Sequence, residues 1–355
     1  MRWELVEGKI SVTLLKFALP FLFSSFLQAL YGAADLFIVG RFSGSEAVSA
    51  VAIGSQLMQT ITGIILGISM GSTVLIARKI GEKDDASAGR AVGTTALLFF
   101  LLALCLTPLM YVISEDLVLF METPPAAISD TLVYLTICAC GIPFIIGYNA
   151  VSGIFRGIGD SRSPMYFIAL ACLINIVLDY VFTGMWGMGT AGVAAATIIA
   201  QGASFVVSLF YMMKKGLGFP LSHRQFRLYR AELGRILIVG FPLALQDALV
   251  NVSFLVITAI VNTMGLIASA AVGVVEKIIV FAMLPPSSFA SAVATMSATN
   301  IGAGKRKRAF HILWYGIGFL LCSGCAFVCL PSSCRHAPPL CSALIRQSLK
   351  PVRDI

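Results

Sequence analysis

An asparagine and an aspartate sit four residues apart inside an otherwise apolar run. Met165 to Val181 reads MYFIALACLINIVLDYV and carries Asn175 and Asp179. On a helix that spacing stacks the two side chains one turn apart on one face. A carboxylate in a bilayer interior costs roughly 2.5–3.5 kcal/mol on insertion scales, so an acid kept there is a functional candidate. A second acid, Asp35, lies within the run LPFLFSSFLQALYGAADLFIVG, where Gln28, Tyr31 and Asp35 fall at i, i+3 and i+7, one stripe of a helix. Thr197 and Asn149 are further polar groups within apolar segments. Two carboxylates with Asn, Thr and Gln oxygens make a hard ligand set suited to Na⁺ or to a shared proton. Two acids brought close cannot both ionise cheaply, and a bound cation or proton relieves that cost. The plainer reading is that Asn175 and Thr197 tie helices together, as polar side chains do in membrane bundles, and that Tyr31 only fills space.

These residues need a membrane around them, and composition supplies it. The 355-residue chain is 58% hydrophobic and 12% charged, with mean hydropathy +0.92; soluble domains carry about 25% charged residues. Too few charges remain to cover a soluble surface, so the bilayer is the expected solvent. The start, MRWELVEGKI, is mixed in charge, and the apolar run after it is too long for the h-region of a cleaved signal peptide. The net charge of +8 does not point to nucleic acid, because the basic residues fall at the ends of apolar segments. Of nine cysteines, Cys105, Cys138, Cys140 and Cys172 read as small buried hydrophobes. Cys322, Cys325, Cys329, Cys334 and Cys341 crowd the C-terminus with no zinc-type spacing.

Nine apolar segments near the ~20 residues of a spanning helix are expected at 14–40, 50–77, 92–113, 131–155, 164–183, 191–213, 236–262, 266–298 and 310–330. The connections after segments 2, 4, 6 and 8 are basic: Arg78, Lys79, Lys83 and Arg90; Arg156 and Arg162; Lys214 to Arg235; Lys305 to Arg308. The intervening loops hold Arg41 and almost nothing else basic, and the one after segment 3 is acidic. The positive-inside rule then puts the N-terminus and the basic loops in the cytoplasm, which predicts a multi-pass protein of the cytoplasmic membrane.

The chain also repeats. Pro20 pairs with Pro242 at an offset of 222, Ala52 with Ala271 at 219, and Ala77 with Ala298 at 221. Six segments precede the second copy, so both copies have one orientation, the parallel type of transporter repeat. The expected fold is therefore all-α and polytopic. It comprises a six-helix lobe over 1–213, a cytoplasmic linker over 214–235, a partial second lobe of about three helices over 236–330, and an atypical tail over 331–355. A full second copy would end near residue 440, so truncation is expected.

Segment 8 places Glu276 and Lys277 near mid-membrane, with Lys277 either lining a central cavity or snorkelling to an interface; Pro285 and Pro286 predict a kink or break. RGIGDSRSP, from Arg156, is glycine-rich but lacks the Lys-Ser/Thr ending and preceding strand of a phosphate-binding loop. No ATPase domain and no nucleophile–base set can be found, so an enzyme is not expected and transport would draw on an ion gradient. Asp179 lies five residues before Gly184 and Thr197 five after Gly192. Across the expected hairpin around GMWGMGTAG that sets both about 7.5 Å inside the outer loop.

ALPF…YGAADLFIVG, FRGIGDSRSP, NIVLD, GTAGVAAAT, GFPLALQ and ATNIGAG together resemble the multidrug and toxic compound extrusion (MATE) family, over roughly Gly8 to Leu330. The resemblance implies twelve helices in two lobes around a central cavity, without a cofactor, expelling small amphipathic cations in exchange for Na⁺ or H⁺. It implies a cation-coupling set of Asp35, Asn175, Asp179 and Thr197, suited to Na⁺, with Gln28, Tyr31 and Asn149 nearby; these three, with Lys277 from the reading of segment 8, are the candidate cavity and substrate residues. Where some members carry a helix-7 glutamate, LALQDALVNV offers Gln246, Asp247 and Asn251. The alternatives are a lipid-linked oligosaccharide flippase of the same superfamily, which would favour a basic cavity, and an inert truncated fragment.

Overall fold

The computed structural model describes residues 5–121, 123–219, 221–222, 225–263 and 266–333; side chains at 255, 258–259, 262–278 and 325–333 also lie outside it. The described chain is helical throughout: α1 (Ile10–Phe42), α2 (Ser45–Gly81), α3 (Asp85–Phe120), α4 (Ile128–Gly157), α5 (Arg162–Asp179), α6 (Gly189–Lys215), α7 (Arg230–Thr263), α8 (Leu266–Gly302) and α9 (Arg306–Ser333). Among the described residues eight helices are long and apolar enough to cross a membrane, so the all-α, polytopic reading holds. Pro285 and Pro286 do not break α8, which runs unbroken over 37 residues. Cys105 and Cys140 are exposed on the apolar exterior, whereas Cys138 and Cys172 are buried as expected. An apolar run predicts burial in protein or in lipid without distinguishing them, which is why two of the four were misplaced.

Two helix starts, those of α3 and α5, are fixed by the same local chemistry. Asp84 accepts the Ser87 backbone N–H at 2.9 Å and its hydroxyl. Asp160 accepts the N–H groups of Arg162 (3.2 Å) and Ser163 (3.0 Å) and the Ser163 hydroxyl (2.7 Å). Each aspartate satisfies donors that a helix start leaves free. The second explains RGIGDSRSP: Gly159 takes φ +90°, open to glycine, and delivers Asp160 to the first turn of α5.

The internal repeat reappears in the helix boundaries. α2 and α8 both span 37 residues and are displaced by 221 positions at both ends; α3 and α9 begin 221 apart, and α1 and α7 begin 220 apart. The contact between α2 and α8 is reciprocal. A Cβ on Gly81 would fall on the Thr299 carbonyl, and a Cβ on Gly302 would fall on the Arg78 carbonyl. Arg78 and Thr299 are themselves 221 apart, so residue i meets j while the counterpart of j meets that of i. That is the mark of a two-fold relation. Two glycines thus let the helix backbones touch at their C-terminal ends. Apolar packing of Leu14, Phe17, Ala18 and Phe21 on Phe289, Ala292, Met296 and Ile312 seals α1 against α8 and α9 at the same level.

Inside the first six helices, small residues and hydroxyls join neighbours. Ser69 Oγ donates to the Asn149 carbonyl (2.8 Å) and Thr73 Oγ1 to the Gly153 carbonyl (3.0 Å), locking α2 to α4. Ser204 Oγ donates to the Phe167 carbonyl (3.0 Å), locking α6 to α5. Such ties matter where apolar lipid removes the usual hydrophobic drive for helix association.

Candidate coupling site

Three helices converge on the acids. α5 does not end cleanly at Asp179: the chain continues through a six-residue π turn, Tyr180–Met185, with Trp186 N–H reaching back five residues to the Val181 carbonyl at 3.0 Å. Wide turns of this kind recur at functional positions because they re-aim a side chain without ending the helix. Gly187 (φ +68°) and Gly189 (φ +56°) then reverse the chain into α6. Phe42 of α1 stacks edge-on against Tyr180 at 5.8 Å, fastening the C-terminal end of α1 to that turn.

Asp35 and Asp179 are 3% and 0% exposed. The Asp35 carboxyl faces that of Asp179 and the side chains of Asn175 and Thr197. Asn175 Nδ2 donates to Thr197 Oγ1 at 3.4 Å, and Gln201 Nε2 donates to the Tyr31 hydroxyl at 3.4 Å. Each contact uses one amide N–H, which leaves a second N–H on Asn175 and on Gln201 and the hydroxyl protons of Thr197 and Tyr31 beside a larger number of acceptors. Asp35 Oδ1, both oxygens of Asp179, Asn175 Oδ1 and Gln201 Oε1 are buried with no hydrogen-bond donor among the described residues. Buried acceptors without partners each cost a few kcal/mol. Five of them on side chains gathered between α1, α5 and α6 form a locus for positive charge. Tyr31, Ala171, Asn175, Thr197, Ala200 and Gln201 line a tight gap beside the acids. The gap does not admit a water-sized sphere, far short of the roughly 300–1,000 Å³ of drug-sized ligand pockets, so it has no room for a drug and leaves space between the oxygens only for a bare ion or a proton.

The structure thus brings together Asp35, Asn175, Asp179, Thr197 and Tyr31. Gln201 belongs with them and was missed. Its signal was present, since it follows Thr197 by four residues in an apolar segment and so shares its face. Gln28 is partly exposed and lies outside the residues that line the gap. Asn149 is not brought to the acids: its amide donates to the Ile145 carbonyl of its own helix at 2.8 Å, and its backbone carbonyl receives Ser69. The Glu276 and Lys277 side chains lie outside the described residues. Asp247 of α7 is separate from the cluster and rests opposite Gly63 of α2.

A bundle of membrane-length helices with two acids buried between them has the architecture of a membrane transporter. The chain belongs to the MATE family: it matches the MatE family over residues 20–181 and 242–337. It is 30% identical to the "Probable multidrug resistance protein YpnP" of Bacillus subtilis over 306 residues, 86% of this chain and 68% of that protein. It is 26% identical to the "Probable multidrug resistance protein NorM" of Thermotoga maritima, covering 87% and 67%. The crystal structure of a MATE point mutant superposes with TM-score 0.89 at 22% identity, over 98% of this chain and 78% of that one. The chain spans about two thirds of the length of the two curated relatives.

Proposed function

We propose that this protein is the ion-coupled half of a drug-efflux cycle: an antiporter that exports small amphipathic cations in exchange for Na⁺ or H⁺ at Asp35, Asn175, Asp179 and Thr197. The observation that carries the reading is the excess of unpartnered buried oxygens around two facing acids. Positive charge stabilises such a cluster when it enters and leaves again when solvent reaches the acids. The exchange needs the cluster to meet one side of the membrane at a time. Supporting that, the backbone contacts between Gly81 and Thr299 and between Gly302 and Arg78 seal the end carrying the basic loops. Those loops support a cytoplasmic N-terminus and a cytoplasmic-membrane location. Gln28 and Tyr31, on the same face of α1 as Asp35, are proposed to face substrate.

Exchange works through competition. An ion in the cluster neutralises the two acids and favours one arrangement of α1 against α5; its departure restores a charge that only a cationic substrate or another ion can offset. The test is efflux of ethidium from vesicles under an imposed Na⁺ or pH gradient. Efflux driven by one of them, and abolished by Asp179→Asn, supports the proposal. Efflux indifferent to both gradients overturns it. The flippase reading would require a basic cavity around substrate, and the described cluster is acidic.

A further inference from the structure

A second cavity, of about 540 Å³, lies at the other end of α1. Its walls are the N-terminal segment with Glu7 and Lys9, the first turns of α1 with Val12 and Lys16, and the α4–α5 turn with Asp160 and Arg162. The N-terminal wall is held in place by side chains from α8 and α9. Asn300 Nδ2 donates to the Leu5 carbonyl (3.0 Å), Lys305 Nζ to the Val6 carbonyl (3.1 Å) and Arg308 to the Glu7 carbonyl (2.9 Å). Three cations, Lys9, Lys16 and Arg162, line the space, and none forms an ion pair among the described residues. Two acids share the wall. Asp160 is already spent: Lys215 Nζ sits 2.8 Å from its carboxylate, and the start of α5 takes its remaining capacity. Glu7 is exposed and balances one cation at most, so the described lining of the cavity carries a net positive charge.

The cavity does not stop at its polar floor. Val12 and Lys16 begin an exposed stripe on α1 that continues through Leu19, Phe23, Phe26 and Leu30, each 42–56% exposed. The spacings of four, three, four, three and four residues keep all six on one helix face. From Lys16 to Leu30 the stripe runs about 21 Å, longer than one leaflet's half of a ~30 Å hydrocarbon core. A pocket of unpaired cations that opens onto an apolar track of acyl-chain length has the chemistry of an anionic amphiphile.

We propose that this cavity binds the phosphate headgroup of an anionic phospholipid of the cytoplasmic leaflet, with Lys9, Lys16 and Arg162 around the phosphate and one acyl chain along Leu19, Phe23 and Phe26. The lipid bridges the N-terminal segment, anchored on α8 and α9, to the α4–α5 turn, and so joins the two halves at their closed end. The leaflet assignment rests on the cytoplasmic placement of the N-terminus proposed above; the binding itself does not.

The experiment is native mass spectrometry of the detergent-purified chain offered phosphatidylglycerol and phosphatidylcholine together. The wild type is expected to retain phosphatidylglycerol preferentially. The triple variant Lys9→Gln, Lys16→Gln, Arg162→Gln is expected to lose it by on the order of a hundredfold in affinity, from the worth of three basic residues facing anionic lipid. A charge-matched control, Lys214→Gln, Arg230→Gln, Lys307→Gln, should retain it, and equal thermal midpoints would show that both variants fold. Equal retention by wild type and triple variant, or no preference over phosphatidylcholine, overturns the site. Displacement of the lipid by inorganic phosphate alone would overturn its assignment to a lipid in favour of a free anion. Both leaflets are absent in detergent, so a wrong topology would leave this result untouched and would appear only when lipid is added to one face of sealed vesicles.

Discussion

Replacing Asp179 by Asn tests the coupling site with one oxygen exchanged for an amide nitrogen and almost no change in shape. In the cluster, a monovalent cation shared between Asp35 and Asp179 gains attraction from both. At about 4 Å and an effective dielectric near 20, one such charge pair is worth about 4 kcal/mol. Losing one of two carboxylates should therefore weaken ion binding by roughly a thousandfold. Stability should move the opposite way. Neither Asp179 oxygen has a donor, and Asp35 Oδ1 lacks one too; an Asn amide at position 179 supplies a donor to Asp35 and removes the like-charge repulsion. The expected signature is thus a paired one: gradient-driven ethidium efflux collapses while the thermal midpoint of the purified protein rises, the trade of stability for activity that functional sites display. A variant that transports normally refutes the mechanism. One that loses both transport and stability refutes the reasoning, because the acid would then be holding the bundle together.

Three further outcomes follow from the same geometry. Thr197→Val removes the acceptor of the Asn175 amide and should raise the ion concentration for half-maximal efflux by about tenfold, a hydrogen bond's worth, with maximal rate nearly kept; an unchanged half-saturation would remove Thr197 from the site. Gly81→Leu drives a side chain into the Thr299 carbonyl, so maleimide labelling of a cysteine placed at Ala298 should increase as the closed end is forced apart; unchanged labelling would mean that α2 and α8 are not the seal. Asp160 is held below the ordinary carboxylate range: burial alone would raise it, but Lys215 and the Ser163 N–H and hydroxyl outweigh that. Its contribution to stability is therefore complete above that ordinary range and is lost as pH falls through its lowered folded-state value. Asp160→Asn should cost about 2 kcal/mol at pH 7, with the gap to wild type closing in acid, and a gap independent of pH would contradict the assignment.

Much of this was legible in the chain alone because the bilayer imposes few solutions. Any spanning backbone must satisfy its own hydrogen bonds, so apolar runs of the right length fixed the helices, and the repeat at Pro20 and Pro242 anticipated boundaries that recur at 220–221 residues. Asp35, Asn175, Asp179 and Thr197 could be picked out because polar groups are conspicuous in apolar surroundings. The sequence determined which residues were costly to bury; only the tertiary structure decided which of them share the cost. Asn149 is as buried and as polar as Asn175, yet its amide turns back to its own helix, a choice set by rotamer and neighbour that no spacing encodes. Gln201 joined the site, and Lys9, Lys16 and Arg162, far apart in the chain, came to face one cavity. Distances along a sequence measure rise along one helix, whereas these groupings depend on how separate helices are rotated and packed against each other.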